Sequence, residues 1–395
     1  MNPKVDLVYF NAGGGHRAAA LALQAQLQRQ QPHWQVQLVN LTEVLDRQGQ
    51  FKRLTGLAPE DLYNRRLRRG WTIGLTPELR LLQALIRLAH GPLTRVLQQH
   101  WAATEPDLVV SLIPNFNRAL GESLAQTLPG VPFATVMTDL ADLPPHFWAE
   151  PSVPQHLVCG TPQALQQALA GGVPRERLSL VSGMLLRPSF YEPPALDRAA
   201  ARQALGLDPD LPTAAVMDGG QGSARMLRIA RELPRLQLVL LAGHDAALAR
   251  RLRQLRRPAA QAVLGFTPDV AAALRAADFF IGKPGPGALS EALHLGLPVI
   301  TFDNAWTLPQ ERFNAGWVRA LGVGLALRSL AELPEGVAAL LPRLHAFQSR
   351  VRWLDNRALF EVPAILAELL QRTATAAAPP ALSRRDEAAA EAARC

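Results

Sequence analysis

Short apolar runs recur along the chain, and several are followed by a glycine-rich turn and then by apolar residues at helical spacing. Residues 5–10, 34–41, 107–112, 133–137 and 156–159 predict strands in the first half, with helices over about 17–29 and 77–101. After Pro193-Pro194 the pattern begins again. A helix near 197–205 precedes strands at 213–217, 236–242, 262–264, 278–281 and 297–301, with helices from Ser223 and over 288–295. Continuous apolar runs alternating with helices are the mark of parallel sheets covered on both faces. Two such series, each opening strand, glycine loop, helix, predict an α/β protein of two Rossmann-like domains with parallel sheets facing a central cleft. Ligands of such sheets bind outside the carboxyl ends of the strands. The expected domains are residues 1–190 and 191–345. A helix over 344–370, apolar on one face, is expected to pack across the domain junction (residues 346–372). Residues 373–395, rich in alanine and poor in large apolar side chains, read as a disordered tail.

At 395 residues the chain is long enough for two separate cores. Its two cysteines, Cys159 and Cys395, make neither a disulfide framework nor a zinc site. The first residues lack a basic stretch ahead of a long apolar core, so no signal peptide is expected. No run of 18 apolar residues occurs, so no membrane span is expected and the chain reads as cytoplasmic.

Charge adds one local feature. Between Phe51 and His100 nine Lys/Arg stand against three Asp/Glu, and that segment holds most of the net charge of +8. Tyr63, Arg65, Arg66, Arg68, Arg69 and Trp71 interleave basic with large aromatic groups there. That mixture suits an anionic membrane surface. It is also what an exposed helix with solvated arginines looks like, and nucleic acid is disfavoured because no recognised nucleic-acid motif accompanies it.

The chemistry concentrates in two glycine loops. In residues 282–300 (GKPGPGALSEALHLGLPVI) a Gly/Pro turn runs into a helical pattern, and open N–H groups at a helix N-terminus hold phosphate. Glu291, about one turn inside that helix, cannot bind phosphate but can accept hydrogen bonds from a sugar diol. Diphosphate plus ribose points to a nucleotide. The other loop, Gly13-Gly14-Gly15, leads into His16, whose imidazole titrates near neutrality and suits a general base. Asp139, after the apolar run ending at Met137, is a second candidate base, a group that orients the base, or a turn cap.

Eight stretches in order carry a resemblance: 11–18 (NAGGGHRA), 60–71 (EDLYNRRLRRGW), 137–140 (MTDL), 183–190 (GMLLRPSF), 217–222 (MDGGQG), 265–266 (GF), 282–298 and 309–314 (PQERFN). Spanning roughly residues 4–345, they resemble the monogalactosyldiacylglycerol synthases and processive diacylglycerol glucosyltransferases of the GT-B fold. The lipid II-forming GlcNAc transferase is a more distant likeness. The resemblance implies an inverting transfer of galactose or glucose from a UDP-sugar to the free hydroxyl of diacylglycerol. The enzyme would sit peripherally on the inner face of the cell membrane, with no tightly bound cofactor or metal. It assigns the acceptor and membrane to the first domain, through Gly14, Gly15, Tyr63, Arg65, Arg66, Arg68, Arg69 and Trp71. Catalysis falls to His16 and Asp139. The donor goes to the second domain: uracil beside Gly265 and Phe266, ribose on Glu291, and diphosphate against Gly219, Gly220, Gly222 and the loop Pro284, Gly285, Pro286, Gly287. Gln310 and Glu311 would meet the donor sugar or diphosphate.

Two features depart from the relatives' pattern. Asp218 stands where they carry another glycine, and an acid beside a phosphate loop is unfavourable unless it points away. The lead 306–309 (WTLP) differs near where sugars are told apart, so galactose and glucose both stay open. Other functions compatible with the pattern are a UDP-GlcNAc transferase acting on a polyprenyl-linked acceptor, a UDP-GlcNAc 2-epimerase, and a non-catalytic UDP-sugar sensor.

Overall fold

The computed structural model describes residues 2–11, 15–46, 75–220, 222–305 and 307–377. In the first domain, β1 (Lys4–Tyr9), β2 (Gln35–Asn40), β3 (Leu108–Ser111), β4 (Phe133–Val136), β5 (Gln155–Cys159) and β6 (Leu178–Leu180) form one sheet, ordered β2-β1-β3-β4-β5-β6. In the second, β7 (Thr213–Met217), β8 (Gln237–Leu241), β9 (Gln261–Leu264), β10 (Phe279–Gly282), β11 (Val299–Phe302) and β12 (Gly324–Leu327) are ordered β12-β11-β10-β7-β8-β9. Every pairing is parallel. Parallel neighbours need crossovers, and helices such as Gly15–Gln30, Asn117–Thr127, Arg225–Glu232 and Pro286–His294 supply them. β3, β4, β8, β10 and β11 are buried at every residue, which is why they read as unbroken apolar runs.

The strand order reverses between β1 and β3 in one sheet and between β7 and β10 in the other. Loops leaving the carboxyl ends of such strands diverge and open a crevice. Glycine loops lie at the second of these points, after β7 and β10, and helix Gly15–Gln30 starts at the first.

Four details differ from the sequence expectation. The helix expected over 77–101 is two, Leu75–Leu88 and His90–Thr104. Pro92 has no N–H and its ring crowds the carbonyl four residues back, that of Leu88, where the first of the two helices ends. The helix expected over 344–370 is also two, Leu344–Val351 and Ala358–Ala377. Between them Asn356 accepts from the Ala358 N–H at 3.1 Å and donates to the Met184 carbonyl at 2.9 Å. The first of these helices buries Phe347 and Val351 in the second domain, and the second buries Ala358, Val362 and Leu366 in the first. The last helix also continues to Ala377, into the expected tail, whose residues 378–395 lie outside the described ones. Finally, β6 and β12, edge strands of three and four residues, went unpredicted.

Candidate functional site

A cleft of about 1950 Å³ lies between the two sheets. It brings together Gly15, His16 and Asp139 from the first domain. From the second come Gly219, Gly220, Gly222, Gly265, Phe266, Pro284, Gly285, Pro286, Gly287, Glu291, Gln310 and Glu311. Gly14, Tyr63, Arg65, Arg66, Arg68, Arg69 and Trp71 lie outside the described residues.

On the first-domain side, the connection from β4 to β5 is a loop without a helix, residues 137–154. Asp142 folds it: its Oδ1 accepts from the Phe147 and Trp148 N–H groups at 3.1 and 2.8 Å. So fixed, the indole of Trp148 donates to Asp139 Oδ2 at 3.0 Å. Burial drives the Asp139 carboxyl up to about 7 against the lowering effect of that bond. Charges from the other domain reach it too: Glu311 raises it and Lys283 lowers it. His16 Nδ1 is 2.9 Å from Thr138 Oγ1, and its ring lies 6.1 Å from that of Trp148. Although part of His16 opens to the cleft, burial lowers its pKa to about 4, opposed by a hydrogen bond to the Leu112 backbone. His16 is therefore neutral at pH 7, while Asp139 is poised to exchange its proton there.

On the second-domain side, Asp218 proves to be compensated. Arg225 holds it with two hydrogen bonds, Nη2 to Oδ1 at 2.7 Å and Nε to Oδ2 at 3.1 Å, and lies 5.3 Å over the Phe302 ring. Burial pushes the Asp218 carboxyl up, but the charge and hydrogen bonds of Arg225 outweigh it and hold the group below the usual range. The acid thus presents no bare charge to the glycine loop. Gly222 has φ +67°, and a Cβ there would collide with the Ala242 carbonyl, so close packing on the end of β8 demands glycine whatever the loop binds.

After β10, Gly285 caps the helix Pro286–His294 with Pro286 in its first turn. Pro284 and Pro286 shape the loop but carry no N–H, so the donors this turn can offer are those of Gly285, Gly287 and Ala288. Glu291 pairs with Arg187 Nη2 at 3.0 Å, and burial nevertheless raises its pKa. Phe266, 65% exposed, stacks on His244 with centroids 4.1 Å apart and forms an aromatic rim at the cleft mouth. Lys283 Nζ donates to Glu311 Oε1 at 2.6 Å.

Sequence reasoning passed over Lys283, Arg187, Arg225, Thr138 and Trp148. Lys283 and Arg187 stand inside stretches already singled out, so a cation in each was a usable signal. Trp148 carried none, because its partner is nine residues away across an irregular loop. Among the described residues, no group of three or more His, Cys, Asp or Glu is arranged to hold a metal ion, and no helix is long and apolar enough to cross a membrane.

No protein-family model matches the chain. It is 28% identical over 286 residues to a probable chloroplastic monogalactosyldiacylglycerol synthase of Glycine max, covering 68% of this chain and 53% of that one. It is 27% identical over 355 residues to monogalactosyldiacylglycerol synthase 1 of Arabidopsis thaliana, covering 85% and 64%. The chain therefore spans between about half and two thirds of the length of these relatives. Among solved structures, MurG of Acinetobacter baumannii is similar with a TM-score of 0.59 and 16% identity, covering 93% of this chain and 100% of that one. UGT89C1 of Arabidopsis thaliana, complexed with UDP, is similar with a TM-score of 0.61 and 14% identity, covering 94% and 100%. By fold the chain is a GT-B protein of two facing Rossmann-like domains, and by sequence its curated relatives are monogalactosyldiacylglycerol synthases.

Proposed function

We propose that the chain is an inverting glycosyltransferase that moves a hexose from a UDP-sugar to the free hydroxyl of diacylglycerol. The observation that carries this reading is the opposition across one cleft of Asp139, a buried carboxyl, and two glycine loops at helix starts beside the half-buried Glu291. The names of the sequence relatives support the lipid acceptor.

In this mechanism the loop amides receive the diphosphate, Glu291 accepts from the ribose diol and the Phe266 rim covers the uracil. The acceptor oxygen attacks the anomeric carbon from the first-domain side as its proton passes to Asp139. A base works best when its pKa lies near the working pH, which favours Asp139 over His16 in that role. His16, tied to Thr138 and to the Leu112 backbone, orients the acceptor hydroxyl.

A lipid acceptor brings the enzyme to a bilayer. Helix Leu75–Leu88 supports peripheral docking: Leu81, Leu85 and Leu88, spaced to form one stripe, are 60%, 52% and 82% exposed. Arg80 and Arg87 accompany them, while Leu79 and Leu82 of the same helix line the cleft. That apolar continuity gives acyl tails a path from the bilayer toward His16. The test is incubation of the protein with diacylglycerol in anionic liposomes and, separately, UDP-galactose, UDP-glucose and UDP-GlcNAc, with products read by mass spectrometry. A hexosyl-diacylglycerol from one UDP-hexose is the expected result. No glycolipid from any donor, with UDP still binding, would overturn the acceptor.

A further inference from the structure

We infer that Lys283 is a catalytic residue that stabilises the departing diphosphate, and that Glu311 is the residue that positions it. The inference rests on the UDP-sugar reading and deepens it. Lys283 leaves the end of β10 and passes between two phosphate-loop candidates. Its Cε lies 3.4 Å from where a Cβ on Gly219 would stand and 3.3 Å from the same point on Gly285. Its Nζ is 2.6 Å from Glu311 Oε1, and Glu311 is buried. An ammonium at this spot faces whatever anion bridges the two loops. Its charge also reaches Asp139 on the opposite wall, whose pKa it lowers, so it stands at the reacting side of the cleft. Two neighbouring cations are directed elsewhere: Arg225 is held side-on by Asp218, and Arg187 is drawn to Glu291 beside the ribose position.

The chemistry needs a cation here. As the acceptor oxygen bonds to the anomeric carbon, the bond from that carbon to the β-phosphate oxygen breaks. The electron pair stays on that oxygen and the diphosphate gains one negative charge. The acceptor proton goes to Asp139, while Lys283 remains an ammonium and donates a hydrogen bond to the oxygen that has gained the charge. Such a contact strengthens between ground state and product, which is the condition for accelerating the step. On this account Glu311 does not read the donor sugar; it keeps a flexible side chain in one place.

The test uses the full chain with Lys283→Met, Lys283→Arg and Glu311→Gln, calorimetric binding of UDP and of UDP-hexose, and turnover. Lys283→Met is expected to lower kcat about 10²- to 10³-fold, the cost of removing one oxyanion donor. It should weaken UDP, which carries the extra charge, about tenfold more than UDP-hexose. Lys283→Arg should restore part of both, and Glu311→Gln should lower kcat with little change in the donor KM. Equal weakening of UDP and UDP-hexose, or an unchanged kcat, would overturn the role of Lys283 alone. Absence of UDP binding by the unsubstituted protein would overturn the nucleotide reading and Lys283 with it.

Discussion

Trp148 donates its indole N–H to Asp139 Oδ2 at 3.0 Å, and that bond restrains a carboxyl that burial drives up to about 7. A general base loses activity as pH falls through its pKa. The acid limb of kcat/KM is therefore expected near pH 7, and Trp148→Phe, which keeps the ring and removes the donor, should move it to higher pH. An acid limb near pH 4 would instead match His16 and would remove Asp139 from the base role.

The same carboxyl has a stability signature. Its folded pKa lies above the unfolded value, so the folded state holds the proton more tightly. The associated stability is complete below about pH 4 and is lost progressively as pH rises to about 7. Asp139→Asn removes this dependence. Its melting temperature relative to the parent should rise between pH 4 and 7 and level off above, with a gain of at most about 4 kcal/mol. A pH-independent difference would mean that Asp139 ionises freely.

Glu291 carries the ribose assignment, and it meets Arg187 at 3.0 Å before any sugar arrives. Discrimination between UDP and 2′-deoxy-UDP should be about 1–2 kcal/mol in the parent and should collapse in Glu291→Ala, since the lost hydroxyl then has no partner to miss. Equal discrimination by both proteins would assign Glu291 to holding Arg187 alone.

The outward leucines of helix Leu75–Leu88 separate docking from chemistry. Each exposed leucine reaching the acyl boundary is worth about 1 kcal/mol. Replacing Leu81, Leu85 and Leu88 by glutamine is therefore expected to weaken sedimentation with anionic liposomes about 100-fold, with activity on short-chain diacylglycerol in detergent largely kept. Arg65, Arg66, Arg68 and Arg69→Gln should reduce binding mainly at low salt. Full liposome binding by the leucine variant would remove this helix from the interface.

How far the sequence went depends on the range of the interactions. Strands β3, β8 and β10 and the two-domain arrangement were legible because burial on both faces writes continuous apolar runs. The glycine loops after β7 and β10 that line the cleft were legible because a glycine turn before a helix is a local signal. What was not legible is pairwise and distant. The Asp139–Trp148 bond depends on Asp142 folding an irregular loop, and the Arg187–Glu291 pair joins residues 104 apart in sequence. Lys283 was overlooked for another reason: in a Gly/Pro loop the glycines drew the reading, and the cation that the loop frames did not. The two broken helices went unseen because apolar periodicity continues across a break; only Pro92 in the first case and the tertiary bonds of Asn356 in the second interrupt the backbone.

Asp218 looked unfavourable beside a phosphate loop, and Arg225 resolves it by a two-point hydrogen bond on a buried carboxylate. The pair makes opposite predictions for its two members. Arg225→Met leaves the Asp218 charge buried without its guanidinium partner, with the Ser223 hydrogen bond remaining, which costs about 3 kcal/mol and puts a negative charge next to the loop of Gly219 and Gly220. A melting temperature lowered by several degrees and UDP binding weakened at least about tenfold should follow. Asp218→Asn keeps a hydrogen-bonding partner for Arg225, removes the negative charge and leaves the guanidinium's charge uncancelled near the diphosphate. UDP affinity should then be equal to or higher than that of the parent. The folded pKa of Asp218 is depressed, so the stability the pair contributes is present near neutral pH and is lost as pH falls through that pKa. Calorimetric titration of both variants with UDP, alongside thermal melts at pH 7 and pH 4, separates the outcomes. Weakened UDP binding in Asp218→Asn would mean that the carboxylate itself serves the donor, and the pair would then belong to the site rather than to its support.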